Sequence, residues 1–227
     1  VKRVLADESD LARAAAERIV AIGREALAAR GRFDLLLSGG GSPLKTFEAL
    51  ARTGAGAGPG LWAATHFYWS DERCVPPTDP ASNYGLARQA LLAPLGVPPE
   101  RTHRIRAEQA SPEAAAEEYE RICPPAPDLV LMGLGVEGHT ASLFPQSPAL
   151  LEASRRFLAV DVPVAPHRRV TITPAGLAAA RRLLVLVSGA RKREALAAVF
   201  ALEGSVAQTP GRLALGGEWF VDRAADG

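Results

Sequence analysis

His139 closes the run Gly133-Leu134-Gly135-Val136-Glu137-Gly138-His139, with a carboxylate two residues before it. Imidazole titrates close to neutrality, so a histidine on a glycine loop combines exposure with the proton affinity of a general base, and Glu137 is a candidate partner for its ring. A structural histidine is the plain alternative. The run also satisfies G-x-G-x-x-G, the spacing that places a dinucleotide pyrophosphate on the helix that follows. Here Pro145 and Pro148 cut any helix beginning at His139 to about two turns, which disfavours a nucleotide. The glycines, Gly135 among them, instead let the backbone come close to a small ligand at the end of a strand.

A second glycine run, Ser38-Gly39-Gly40-Gly41-Ser42-Pro43-Leu44-Lys45-Thr46, follows an apolar segment and precedes a helical one. With Ser42 as N-cap and Pro43 at the first helical position, Gly40, Gly41 and Ser42 would present free N–H groups to an anion such as a phosphate or sugar phosphate. The alternative is a tight turn with no ligand. Leu44 stands where a Walker A loop needs glycine, and equally where a serine-hydrolase elbow around Ser42 needs one, so both of those chemistries are excluded.

Three cations and one acid sit at the ends of apolar segments. Asp71 and Arg73 follow Trp69-Ser70, Arg169 opens Arg169-Val170-Thr171, and Lys192, one of only three lysines, follows Ser188-Gly189. A lysine in the first turn of a helix opposes the helix dipole, which is easier to understand if an anion lies beside it. Open α/β sheets bind ligands at strand C-termini, so Arg169, at a strand's start, joins the other cations only if its strand runs antiparallel to theirs.

The elements that would position these residues alternate in type. Strands are predicted over 34–38, 66–70, 128–132, 169–173 and 183–187, and helices over Glu8 to Arg30 and Lys192 to Leu202. Several of the strands are apolar on both faces, as a mostly parallel sheet covered by helices on each side requires. Residues 53–60 read as a flexible loop and 123–127 as a stiff connector, with no linker that would divide the 227 residues into more than one domain. The formal net charge of +1 argues against a nucleic-acid partner. Cys74 and Cys123 are in no ligand spacing, so neither a metal nor a disulfide is expected, and a reducing cytoplasm suits them. No apolar run approaches the ~20 residues of a membrane span. Oligomeric state stays open, a monomer included.

In their order along the chain, Ser38-Gly39-Gly40-Gly41-Ser42-Pro43, Ser70-Asp71-Glu72-Arg73 with Asn83-Tyr84-Gly85, the run from Gly133 through Gly138-His139-Thr140-Ala141-Ser142-Leu143-Phe144-Pro145, Arg169-Val170-Thr171, Ser188-Gly189-x-x-Lys192 and Trp219-Phe220-x-Asp222 closely resemble the 6-phosphogluconolactonase family. The resemblance covers nearly the whole chain. It implies a three-layer α/β/α, doubly wound, Rossmann-like domain of the kind shared with glucosamine-6-phosphate deaminase. It implies hydrolysis of a sugar-phosphate lactone in the oxidative pentose phosphate pathway, with no cofactor, His139 as the catalytic residue, and Arg73, Arg169 and Lys192 meeting the phosphate or the reacting end. Glu137 stands where the family usually has Asp, one methylene shorter, which leaves its contact with the imidazole open. Related deaminases carry an acid after their Gly-His, where this chain reads Leu143-Phe144-Pro145, which disfavours deaminase chemistry. A sugar-phosphate isomerase or deaminase on the same fold is the nearer alternative, and a non-enzymatic sugar-phosphate sensor the more distant one.

Overall fold

The computed structural model describes residues 1–54, 59–109 and 111–227. Its strands are β1 (Lys2–Leu5), β2 (Phe33–Leu37), β3 (Thr65–Trp69), β4 (Asp71–Arg73), β5 (Leu129–Gly133), β6 (Phe157–Asp161), β7 (Arg168–Ile172), β8 (Leu183–Val187) and β9 (Glu218–Asp222). The helices are α1 (Glu8–Arg30), α2 (Gly41–Gly54), α3 (Pro59–Ala63), α4 (Asn83–Ala87), α5 (Pro112–Ile122), α6 (Pro174–Ala179), α7 (Arg193–Phe200) and α8 (Arg223–Asp226). Six strands form an all-parallel sheet in the order β1-β9-β8-β5-β2-β3, flanked by helices in a three-layer α/β/α arrangement. From β2 the chain passes to β3 on one side, whereas β5 lies on the other. The winding therefore reverses at the β2/β5 pair, and both glycine runs leave the sheet at that crevice, where doubly wound sheets take their ligands.

α1 spans the expected residues because its signals are local. Asp7 caps it by accepting from the Asp10 N–H at 2.8 Å, Glu8 and Asp10 complement the dipole, and Gly31 ends it with φ +72°. Leu11, Ala15, Ile19 and Ile22 form its buried face, which packs against α2, β2 and β9. β2 is buried along its whole length, as the run Phe33–Leu37 requires at the centre of a covered sheet.

Four expectations need correction. β7 is not in the parallel sheet: it lies between β4 and β6 in a separate antiparallel sheet, ordered β4-β7-β6, because an apolar run declares a buried strand without declaring its partner. Ser42 is not the N-cap of α2; the helix begins at Gly41, and the Gly40 carbonyl accepts from the Leu44 N–H at 3.1 Å, with Gly40 at φ +106°, a conformation that favours glycine. Lys192 precedes α7 in a 3-10 turn (Ala190–Lys192) instead of lying in its first turn. Thr53 and Gly54 close α2 and Pro59 opens α3, so both ends of the expected loop are helical; 55–58 lie outside the described residues. Four strands, β1, β4, β6 and β9, escape the reading: β4 is Asp-Glu-Arg, which carries no apolar signal. Among the described residues no helix is long and apolar enough to cross a membrane.

Candidate active site

After β5 the chain turns back on itself. The Gly135 N–H donates to the His139 carbonyl at 2.7 Å, the Gly138 N–H to the Gly135 carbonyl at 3.1 Å, and Gly138 takes φ +84°. The imidazole of His139 consequently lies against residue 135, where a Cβ would stand 2.0 Å from Nδ1; Gly135 is required for the ring itself. Phe144 stacks on the ring with centroids 4.1 Å apart and planes inclined by 19°.

Glu137 does reach the imidazole: Oε2 is 2.9 Å from Nδ1. A carboxylate only accepts, so Nδ1 carries the hydrogen and Nε2 is left as the basic nitrogen. Burial lowers the His139 pKa; Glu137 and Asp71 oppose that and Lys192 adds to it, leaving the pKa below the usual 6.5 and the ring neutral at pH 7. For Glu137, burial raises the pKa but is outweighed by its own N–H, by His139 and by Lys192, so it stays ionised.

The cations come from the second sheet and from the end of β8. β4 and β7 pair with Asp71 opposite Thr171 and Arg73 opposite Arg169, so these four side chains share one face and two like charges stand directly across from each other. Such a pair is unfavourable unless an anion lies between or beside it. Arg169 is only 4% exposed, and its donors go to the carbonyls of Pro166 (2.9 Å) and Val164 (3.3 Å) and to the Ser142 hydroxyl (3.3 Å). Burial lowers its pKa, Arg73 lowers it further, and Asp71 opposes both. Arg73 donates to the Ala81 carbonyl at 2.5 Å, while its Nε is buried without a partner. Among the described residues neither guanidinium is ion-paired to a carboxylate.

Glu72, between them in sequence, is structural: it accepts the N–H groups of Arg73, Asn83 and Tyr84, each at 2.8 Å, and the Ser82 hydroxyl at 3.0 Å, fastening β4 to α4. Asn83 in turn donates to Asp71 Oδ1 at 3.1 Å, and it fits only because residue 39 is glycine: a Cβ there would lie 1.9 Å from Asn83 Oδ1. On the far side, the Ser188 hydroxyl donates to Glu8 at 2.7 Å and so accepts from Ser42 at 2.6 Å, joining the start of α2 to the turn that carries Lys192. Burial lowers the Lys192 pKa, with Glu137 opposing.

These segments enclose a cleft of about 160 Å³. Its lining includes Gly40, Gly41, Ser42, Asp71 and Arg73, together with Gly135, His139, Arg169 and Lys192. Every site residue expected from the sequence is thus brought together except Glu137, which reaches the cleft only through the imidazole. The arrangement puts a neutral base beside three cations and one acceptor, suited to a small anionic, hydroxyl-bearing substrate. Asn83, Ser142 and Phe144 were read as parts of a motif without individual roles; their signal is contiguity with Asp71 and His139, not residue type. A larger hollow of about 910 Å³ lies around Tyr84, Arg88, Arg104 and Glu108, but there Arg104 is already paired bidentately with Glu108 at 2.7 and 2.9 Å. Size does not select it. Among the described residues no three His, Cys, Asp or Glu side chains are grouped to hold a metal.

The pattern of the family described as glucosamine-6-phosphate isomerases/6-phosphogluconolactonase matches residues 6–221. The 6-phosphogluconolactonase of Mycobacterium tuberculosis is 36% identical over 98% of this chain and 95% of its own length. The solved 6-phosphogluconolactonase from Trypanosoma brucei superposes with a TM-score of 0.85 at 27% identity, covering 99% of this chain and 97% of that one. A monomeric glucosamine-6-phosphate deaminase superposes with a TM-score of 0.84 at 20% identity, covering 99% and 98%, a likeness of fold alone.

Proposed function

The chain belongs to the glucosamine-6-phosphate isomerase/6-phosphogluconolactonase family, and on that premise we propose that it hydrolyses 6-phospho-D-glucono-1,5-lactone to 6-phospho-D-gluconate, in the oxidative pentose phosphate pathway, with His139 as general base. The observation that carries this reading is the neutral imidazole, its tautomer set by Glu137, opening on the same cleft as three cations that, among the described residues, no carboxylate meets in an ion pair.

A δ-lactone is an activated ester, so one positioned base, contributing ~10²–10⁴-fold, is sufficient together with orientation of the substrate. Nε2 of His139 takes a proton from water as its oxygen bonds to C1. The carbonyl becomes an oxyanion, met by a cation or by N–H groups at the start of α2. The bond from C1 to the ring oxygen then breaks, and the imidazolium returns its proton to that oxygen. The new carboxylic acid ionises in solution. Arg73, Arg169 and Lys192, with Gly40, Gly41 and Ser42, hold the anionic groups, and Asp71 accepts from sugar hydroxyls. The cytoplasm suits this assignment: Cys74 and Cys123 are unpaired, and burial pushes the Cys123 thiol up to about 12.

Because the reaction needs no Lewis acid in this scheme, exhaustively chelated protein is expected to hydrolyse freshly generated lactone at the untreated rate; loss of turnover restored by zinc would contradict it. Glu137→Gln is expected to lower kcat and to move the base limb of the pH–rate profile to lower pH, because the lost anion had favoured imidazolium and so had raised the pKa. An unchanged profile would show that the 2.9 Å contact has no part in the chemistry. Glu137→Asp, the residue usual in the family, is expected to be tolerated.

A further inference from the structure

We propose that Ser142 is a positioning residue that keeps Arg169 available to the substrate by standing between its guanidinium and the Asp71 carboxylate. This rests on the reading of the cleft as a site for an anionic substrate. In the β4/β7 register Asp71 faces Thr171 and Arg169 faces Arg73, so Asp71 and Arg169 are diagonal neighbours on one face, a separation that a long side chain spans. An arginine and an aspartate so placed in a buried site would ordinarily close into a direct, charge-assisted pair. They do not.

The Ser142 hydroxyl is fully buried between them. It has one hydrogen, which it donates to Asp71 Oδ2 at 2.7 Å, and it accepts from Arg169 Nη1 at 3.3 Å. Asn83 serves the other Asp71 oxygen at 3.1 Å. Both oxygens of the carboxylate are therefore engaged by neutral donors, and the guanidinium keeps its charge for the cleft. The position of the serine is itself imposed. Its N–H donates to Thr171 Oγ1 at 3.1 Å, and the preceding Ala141 is held at φ +48°, a conformation uncommon outside glycine and costly without a surrounding structure that enforces it. With the hydroxyl removed, Asp71 Oδ2 loses its donor, and Arg169, already aimed at the same oxygen atom of Ser142, is the strong donor at hand. The ion pair that would form removes a cation from substrate binding, while the Glu137 carboxylate that sets the His139 tautomer is no part of it.

The test uses the affinity of the whole protein for 6-phospho-D-gluconate, anionic at both ends, measured by calorimetry, alongside kcat and KM. Ser142→Ala is expected to weaken product binding by ~10-fold or more, the effect of one charge-assisted hydrogen bond, and to raise KM with kcat little changed. Adding Asp71→Asn to Ser142→Ala is expected to restore affinity to that of Asp71→Asn alone, because no carboxylate is left to capture the arginine; general damage to the site would give no such rescue. Should the alanine variant not fold, Ser142→Cys, which retains a weak donor, is compared in the same way, with weakened binding rescued by Asp71→Asn as the supporting result. Product affinity equal to wild type in the serine variant, or a double variant that binds more weakly than Asp71→Asn alone by the factor that Ser142→Ala costs the wild type, overturns the proposal. Binding needs no turnover, so a protein without lactonase activity whose product affinity still depends on Ser142 refutes the assigned reaction and not this role.

Discussion

Replacing His139 by alanine is expected to lower kcat by ~10²-fold or more with the folded protein intact, since a lost general base removes stabilisation made in the transition state and leaves ground-state binding largely alone. The structure separates the two effects. What the loop needs from residue 139 is its carbonyl, which accepts from Gly135, whereas the ring contributes a stack on Phe144 and the bond to Glu137. Circular dichroism and the thermal midpoint should therefore change little. A folded variant with near-normal kcat would make the histidine structural and move water activation elsewhere in the cleft.

The second large effect is expected at the cations. Arg73→Met and Lys192→Met should each raise KM for the phosphorylated lactone by ~10-fold or more, the 1.5–3 kcal/mol of a charge-assisted hydrogen bond. Arg169 is better probed by lysine, because alanine would also strand the Pro166 and Val164 carbonyls that its guanidinium serves, while lysine keeps the charge and loses the planar fork. The unphosphorylated lactone separates the roles. A cation that meets phosphate matters much less for it, and one that meets the reacting carbonyl matters equally for both. Small, equal effects of all three substitutions would reduce them to ordinary charges.

Legibility in the sequence followed the range of the forces involved. α1 could be bounded at Glu8 and Arg30 because a cap, acids in the first turn and a terminal glycine all act within one helical turn. The glycine runs at 39–41 and 133–135 were legible as turns at the sheet's edge because they follow apolar strands, and both line the cleft. What could not be read was pairing. Arg73 and Arg169 stand opposite each other only through the β4/β7 register, joining residues almost a hundred positions apart, and a charged triplet such as Asp71–Arg73 gives no sign that it is a strand. Ser42 showed a similar limit: its type and place suited a cap, but the partner it found is Ser188, brought near only by the folded sheet. Contact between Glu137 and His139 likewise depended on the turn at Gly138, since two-residue spacing alone leaves the ring free to face either way.

Acid release measured by pH-stat from freshly generated 6-phosphogluconolactone, beside its unphosphorylated analogue and with spontaneous hydrolysis subtracted, tests the central claim most directly. The account predicts catalysed release whose kcat/KM is at least ~10-fold higher for the phosphorylated lactone, because the cations of the cleft have an anion to meet only there. No release above the spontaneous rate, or equal kcat/KM for the two lactones, would contradict it.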